Sequence, residues 1–319
     1  MRLIRLLLVA LGATFLRRLR SGPRRAGWTW TFEFIVELMR RDWMEMRSWK
    51  PAQIRAEFER KPLPKSATRK VRYGEIWLDG IRALSFEPPS KRSPVVILYF
   101  HGGSYLFGSP ETHLDVAARF ALAAGARVVL PEYRLAPEHR YPAALDDALR
   151  VFRALIASGT DPAHIAVTGE SAGGNLALAL PLALVGERAP LPRAVALLSP
   201  WLDLSASFPS TRTQLDDYGD RELVVEQARL VAGELSLDDP RLSLIHRDPK
   251  GLPRLLIQVG GAERLHDEAV ELDRRAREAG VDARLDVLPE MPHAAQLLAE
   301  WSREGQSALE RAASFLTAA

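Results

Sequence analysis

Val95 to Phe100 reads VVILYF, six apolar residues with no polar interruption. A short run without alternation predicts a strand covered on both faces, because a strand with one wet face alternates apolar and polar side chains. Shorter apolar runs recur at Val128–Leu130, Ile165–Val167, Ala194–Leu198 and Leu255–Val259, and Arg284–Leu288 reads as a last strand. Helical periodicity falls between them, over Ala143–Ala157, Ala172–Val185 and Asp267–Ala279, with a final helix expected from Ala294 to the C-terminus. Strands alternating with helices predict an α/β fold with a mostly parallel central sheet covered by helices on both faces. Two further strands, Val71–Leu78 and Ile81–Phe86, meet at Asp79-Gly80, a hairpin signal.

Two stretches stand outside this alternation. Residues 26–60 are rich in tryptophan and methionine, and Phe32, Ile35, Val36 and Met39 repeat at helical spacing. Residues 205–245 hold a polar loop and then one or two helices, an insertion between two strands of the sheet. The expected organisation is an N-terminal helical cap region over residues 1–60 and a catalytic domain over residues 70–319, with the insertion as the second part of the cap. Together they would roof the C-terminal ends of the strands, where open α/β sheets bind ligands. Trp28, Trp30, Phe32 and residues 205–215 are the candidates for lining a pocket there.

Charge narrows the partners. Residues 1–25 carry seven arginines and no acid, so the remaining chain has 36 basic against 40 acidic residues. A mildly acidic body gives no clustered basic face for phosphates, which argues against nucleic-acid binding. Leu6 to Leu16 is an apolar, uncharged run of 11 residues, shorter than the roughly 20 needed to cross a bilayer. A signal peptide has such a run, but this one ends in Arg17, Arg18 and Arg20 rather than in a small-residue cleavage site. The run is therefore expected to be a cap helix packed on its own protein, with a helix lying on anionic lipid as the alternative. The absence of cysteine excludes disulfides and thiolate chemistry and leaves the redox compartment open. The expected location is cytoplasmic, with membrane association through residues 1–25.

The chemistry concentrates at Gly169-Glu170-Ser171-Ala172-Gly173-Gly174, between the expected strand at Ile165 and the helix opening at Ala172. A G-x-S-x-G segment in that context holds the serine hydroxyl on a sharp turn at the sheet edge. Its glycines leave room for the close backbone approach of the turn, and the helix N-terminus favours negative charge forming beside it. Ser171 is the candidate nucleophile. His101-Gly102-Gly103-Ser104-Tyr105 follows the buried strand directly. Its adjacent glycines can converge backbone N–H groups on one point, so Gly102, Gly103 and Ala172 are the expected oxyanion donors. His101 is expected to brace the loop. Among the remaining histidines, His113, His139, His164, His246 and His266 lie in polar stretches expected at the surface, whereas His293 lies between the last strand and the last helix. A loop there can reach the serine, and the chain order serine, acid, histidine suits this architecture. The orienting acid should follow strand Leu255–Val259, where Glu263 comes first in the loop and Asp267 begins the helix. Position favours Glu263, while a helix N-cap accounts for Asp267.

Taken together, HGGSY, PEYRLAPEHRYPAALDDA (residues 131–148), GESAGGNLAL (169–178), SPWLDL (199–204) and MPH (291–293) resemble the hormone-sensitive-lipase-like esterases. The resemblance spans roughly residues 70–319. It implies an α/β-hydrolase core under a helical cap, hydrolysis of short- to medium-chain acyl esters, a small-molecule ester substrate, no cofactor or metal, and a monomer or homodimer. It places the catalytic acid on Glu263, and it reads Tyr133 to Glu138 as structural support. Three positions depart from the family pattern. Ser104 replaces the third glycine of HGGG, Glu170 stands where aspartate is commoner, and the acid is glutamate rather than aspartate before Pro-Leu. An amidase, a carbamate hydrolase or a long-chain lipase could use the same triad. A hydrolase-like binding protein would lack the serine or the histidine, and both are present.

Overall fold

The computed structural model describes residues 2–60, 66–212 and 221–318, with the backbone alone at 211 and 212. Residues 213–220, part of the insertion and of the 205–215 pocket candidate, lie outside the described residues.

Eight strands form one sheet: β1 (Arg72–Leu78), β2 (Ile81–Glu87), β3 (Val96–Phe100), β4 (Arg127–Pro131), β5 (Ile165–Glu170), β6 (Ala194–Leu198), β7 (Arg254–Gly260) and β8 (Ala283–Leu288). Their order is β1-β2-β4-β3-β5-β6-β7-β8. The first two strands pair antiparallel, β2 runs antiparallel to β4, and every other pairing is parallel. The β1–β2 hairpin closes at Leu78 opposite Ile81. Asp79 and Gly80 both have positive φ (48° and 74°), the two-residue turn that matches strand twist.

The unbroken apolar run of β3 is explained by its two faces. Val96, Leu98 and Phe100 join one core with Phe152, Leu176 and Leu180 of helices α5 (Ala143–Ala157) and α6 (Ala172–Glu187). Val95, Ile97 and Tyr99 join the other with Phe120, Leu309 and Leu316 of α4 (Leu114–Ala124) and α9 (Arg303–Thr317). Each such side chain, withdrawn fully from water, stabilises the fold by about 1.5–3 kcal/mol. Helix α8 (His266–Glu278) adds Ala269, Leu272 and Ala276 to the first face.

Two helices differ from expectation. Helix α4 was not anticipated: Val116, Ala117, Ala118, Phe120 and Ala121 are all buried, because the helix is wedged between the sheet and α9, which blurs its amphipathic stripe. The last helix does not begin at Ala294. That residue has φ 52°, a 3₁₀ turn follows at Ala295–Leu298, and α9 starts after Ser302, whose hydroxyl accepts the Gly305 N–H at 3.1 Å.

The N-terminal region forms α1 (Arg2–Ser21), α2 (Trp30–Met46) and α3 (Pro51–Arg60). Trp28, Phe32 and Val36 pack on Leu288, Met291, Leu298 and Ala308. Phe58 stacks on Phe107, and the Trp43 ring lies tilted against it at 5.3 Å. In the insertion, α7 (Arg221–Ala232) buries Ala228, Val231 and Ala232 in the first core. Trp28 and Phe32 are thus packing residues, and Trp30 lies exposed with its ring stacked on Phe34.

Candidate active site

The segments singled out by sequence converge at the C-terminal ends of β3, β5, β7 and β8. Ser171 sits between β5 and α6 with φ 55° and ψ −120°. A non-glycine residue there carries about 1–3 kcal/mol of backbone strain, and the surroundings enforce it. Its N–H donates to Leu198 O, and its carbonyl accepts from Asn175 and Trp201 N–H, each at 3.0 Å. A methyl group at Gly173 would collide with the carbonyl oxygens of Phe100 and His101, and one at Gly169 with Gly173 O. Glycine is required at both positions by this close approach.

His293 is the one partly exposed residue within 291–296, as Ser171 is within 165–182. Its Nδ1 lies 2.5 Å from Glu263 Oε2. Glu263 is fully buried, and its other oxygen accepts the Ser199 hydroxyl at 2.7 Å and the Gly260 N–H. Ser199 also accepts the Ala294 N–H at 3.0 Å, so one hydroxyl ties the acid to the histidine loop. No role was anticipated for Ser199; its only sequence signal was its place at the head of SPWLDL. Asp267, the alternative acid, lies elsewhere. Its carboxylate accepts the Ser210 N–H at 2.8 Å and meets His266 Nδ1 at 3.0 Å, which anchors the start of the insertion.

The loop after β3 departs from expectation in one donor. The Gly102 N–H, expected to face an oxyanion, donates to the Glu170 carboxylate. A Cβ at Gly102 would press on that same carboxylate. Among the described residues, the N–H groups of Gly103, Ser104 and Ala172 have no protein acceptor. Gly103 has φ 111° and Ser104 φ 54°, a reversal that turns these two amides away from the strand. Ser104 Oγ donates to Gln227 Oε1 of α7 at 2.8 Å, and Arg55 of α3 donates to Leu106 O at 2.7 Å. His101 braces the loop as expected, with Nδ1 2.8 Å from Gly102 O and its ring stacked on Tyr133. Burial and the neighbouring His113 push its pKa down to about 3, which keeps it neutral.

His113 is not at the surface; its side chain is only 11% exposed. Its Nε2 lies 2.9 Å from Glu170 Oε1 and its Nδ1 lies 3.1 Å from Ser109 O. Both ring nitrogens face acceptors, so the doubly protonated form fits. Burial opposes the imidazolium, but Glu170 outweighs it and the pKa is raised. Burial likewise opposes the Glu170 carboxylate, yet His113, the Tyr99 hydroxyl at 2.5 Å and the Gly102 N–H hold it below its ordinary range. A buried ion pair thus lies directly under Ser171 and the adjoining loop. The sequence signal for it was Glu170 itself, a charge in an otherwise apolar strand end.

Comparison with known proteins agrees with this fold. Residues 97–297 match a family model described as the alpha/beta hydrolase fold. The chain is 38% identical over 252 residues to an acetyl-hydrolase of Streptomyces hygroscopicus, covering 77% of this chain and 83% of that protein. It is 33% identical over 259 residues to an esterase of Acinetobacter venetianus, covering 80% and 84%. The crystal structure of an esterase from the bacterial hormone-sensitive lipase family superimposes with a TM-score of 0.78 at 36% identity, covering 98% of this chain and 97% of that one. The chain belongs to the α/β-hydrolase family, among the hormone-sensitive-lipase-like esterases, and is a carboxylester hydrolase.

Proposed function

We propose that the chain hydrolyses short- to medium-chain acyl esters through an acyl-enzyme, with Ser171 as nucleophile, His293 as general base and Glu263 as the acid that orients it. The observation that carries this reading is the 2.5 Å contact between Glu263 Oε2 and His293 Nδ1. An anion on Nδ1 fixes the tautomer that leaves Nε2 to take a proton, and it stabilises the imidazolium that results. His293 takes the Ser171 proton as the hydroxyl oxygen attacks the ester carbonyl. The tetrahedral oxyanion is received by the N–H groups of Gly103, Ser104 and Ala172, each worth roughly 3 kcal/mol in comparable sites. The C–O bond to the alcohol breaks, and the alcohol leaves with the proton from His293. Water, deprotonated by the same imidazole, then cleaves the acyl-enzyme to the carboxylic acid and restores Ser171. Gly102 serves as the anchor of the loop rather than as a donor.

Helices α2 and α3 and the insertion act as the cap that sets acyl-chain length. Support comes from their packing on the catalytic loops: Met291 lies against Phe32, and Phe107 against Trp43 and Phe58. The name of the Streptomyces relative favours short acyl groups. Residues 1–25 add a peripheral membrane contact; among the described residues, no helix is long and apolar enough to cross a membrane.

The test is release of p-nitrophenol from acetate, butyrate, octanoate and palmitate esters. Wild type should peak at short or middle chains. Ser171→Ala should lose at least about 10⁴-fold in kcat with an unchanged circular dichroism spectrum. Retained turnover in that variant would remove Ser171 from the mechanism.

A further inference from the structure

Helix α1 has one buried line and one bare one. Leu6, Ala10 and Thr14, at spacing four, face α2 and are almost wholly buried. On the opposite side Ile4 (63% exposed), Leu8 (63%), Leu11 (44%), Phe15 (59%) and Leu19 (74%) recur at spacings of four, three, four and four. That period keeps them on one side of a helix. No charge falls between Arg5 and Arg17, so the outward face is an uninterrupted apolar strip along the helix. Scattered apolar residues on a surface need no explanation, but a contiguous strip does.

Most of the N-terminal arginines are engaged by carboxylates of the chain. Arg2 pairs with Asp42 and Glu57 at 2.6 Å, Arg18 with Glu33 at 2.8 Å, and Arg17 also with Glu33. These contacts seat α1 on α2 and α3 and fix which face looks outward. Two cations stay exposed, Arg5 beside the strip and Arg20 in the last turn of the helix. Arg5 is exposed and pairs with Glu45; Arg20 is exposed and has no carboxylate partner among the described residues. Residues 2–46 together carry nine arginines against four acids.

We propose that the outward face of α1 docks in the interfacial layer of an anionic membrane, with Ile4, Leu8, Leu11, Phe15 and Leu19 among the acyl chains and Arg5 and Arg20 at the headgroups. An apolar helix face bordered by arginine fits that layer on both counts. A second copy of the chain fits less well. A twofold contact lays the face on itself, so the arginine rims would meet, and α1 contains no acid to pair with them. The docking also orients the enzyme. Helix α2 packs through Phe32 and Val36 on Met291 and Leu298, which flank His293, and α3 packs through Phe58 on Phe107, beyond the Gly102–Ser104 loop. A docked α1 therefore holds the proposed site close to the lipid surface, where acyl esters partition. This last step rests on the proposed triad; the docking itself does not.

The experiment is co-sedimentation of the full chain with vesicles of phosphatidylcholine alone and of phosphatidylcholine with about one-third phosphatidylglycerol, at low and high salt. Wild type should pellet with the mixed vesicles and be released by salt. Each of Leu8→Glu, Phe15→Glu and Leu19→Glu should weaken binding about tenfold or more, with hydrolysis of water-soluble p-nitrophenyl acetate and the Tm unchanged. Wild type left in the supernatant with both vesicles overturns the proposal. So does equal pelleting with phosphatidylcholine alone, which removes the anionic preference. A wild-type dimer that Phe15→Glu converts to a monomer, with no vesicle binding, would assign the face to a contact between copies instead. Loss of p-nitrophenyl acetate hydrolysis in Ser171→Ala bears on the active site alone, so the two readings fail separately.

Discussion

A carboxylate orients an imidazole when its other oxygen is held and the geometry leaves one oxygen for the ring. Glu263 meets that condition: Ser199 and Gly260 secure Oε1, and Oε2 faces His293. Asp267 does not, since Ser210 and His266 occupy its carboxylate. Glu263→Gln should therefore lower kcat on p-nitrophenyl butyrate by roughly 10³–10⁴-fold, while Asp267→Asn stays within about threefold. The opposite ranking would reverse the assignment of the acid. Position along the chain already favoured Glu263 over Asp267. What it could not supply was the direction of either side chain, because that depends on how the turn after β7 places each against the loop after β8. Gly102 shows the same limit from the other side. Two adjacent glycines announce a backbone turned toward something, but not which amide meets the Glu170 carboxylate and which stay open.

At the scale of elements, the loop after β3 is held from three directions: by Glu170 beneath, by Arg55 of α3 and by Gln227 of α7. Ser104 keeps a left-handed backbone (φ 54°) that glycine would adopt with less strain. The hydrogen bond of its side chain to Gln227 offsets that strain and couples the proposed oxyanion amide to the insertion. A double-mutant cycle of Ser104→Gly and Gln227→Ala should show a coupling of about 1 kcal/mol in kcat/KM, the double variant behaving much like either single one. Simple additivity would mean that the bond does not support the loop. None of these ties was legible beforehand, since they join residues 51 to 123 positions apart in the chain. The strands β3 to β7 were legible, because each announces its burial by composition. Helix α4 was not, because burial on several sides removes the stripe by which a helix is recognised.

For the molecule as a whole, the buried Glu170–His113 pair links stability to pH. His113 has a folded pKa raised above 6.5, so its contribution is complete below 6.5 and is lost as pH rises through the folded value. Glu170 has a folded pKa lowered below 4.5, so its contribution is present above 4.5 and is lost as pH falls through the folded value. The pair stabilises most between those limits. His113→Gln should lower Tm, and the gap from wild type should be widest between pH 4.5 and 6.5 and narrow on the alkaline side; a gap independent of pH would show that the imidazole is neutral in the fold. By itself the sequence determined the layered α/β architecture, the strand positions, the sharp turn at Ser171 and the loop that carries His293. Those rest on local patterning, such as apolar runs, helical periods and glycines at close approaches, and each is written in neighbouring residues. Only the tertiary structure decided which amides of the loop after β3 stay open, that His113 is interior and faces Glu170, that Arg2, Arg17 and Arg18 turn onto α2 and α3, and that an apolar strip of α1 looks out. Those outcomes depend on which charges the packed elements bring together, and no local pattern encodes a partner that lies on another part of the chain.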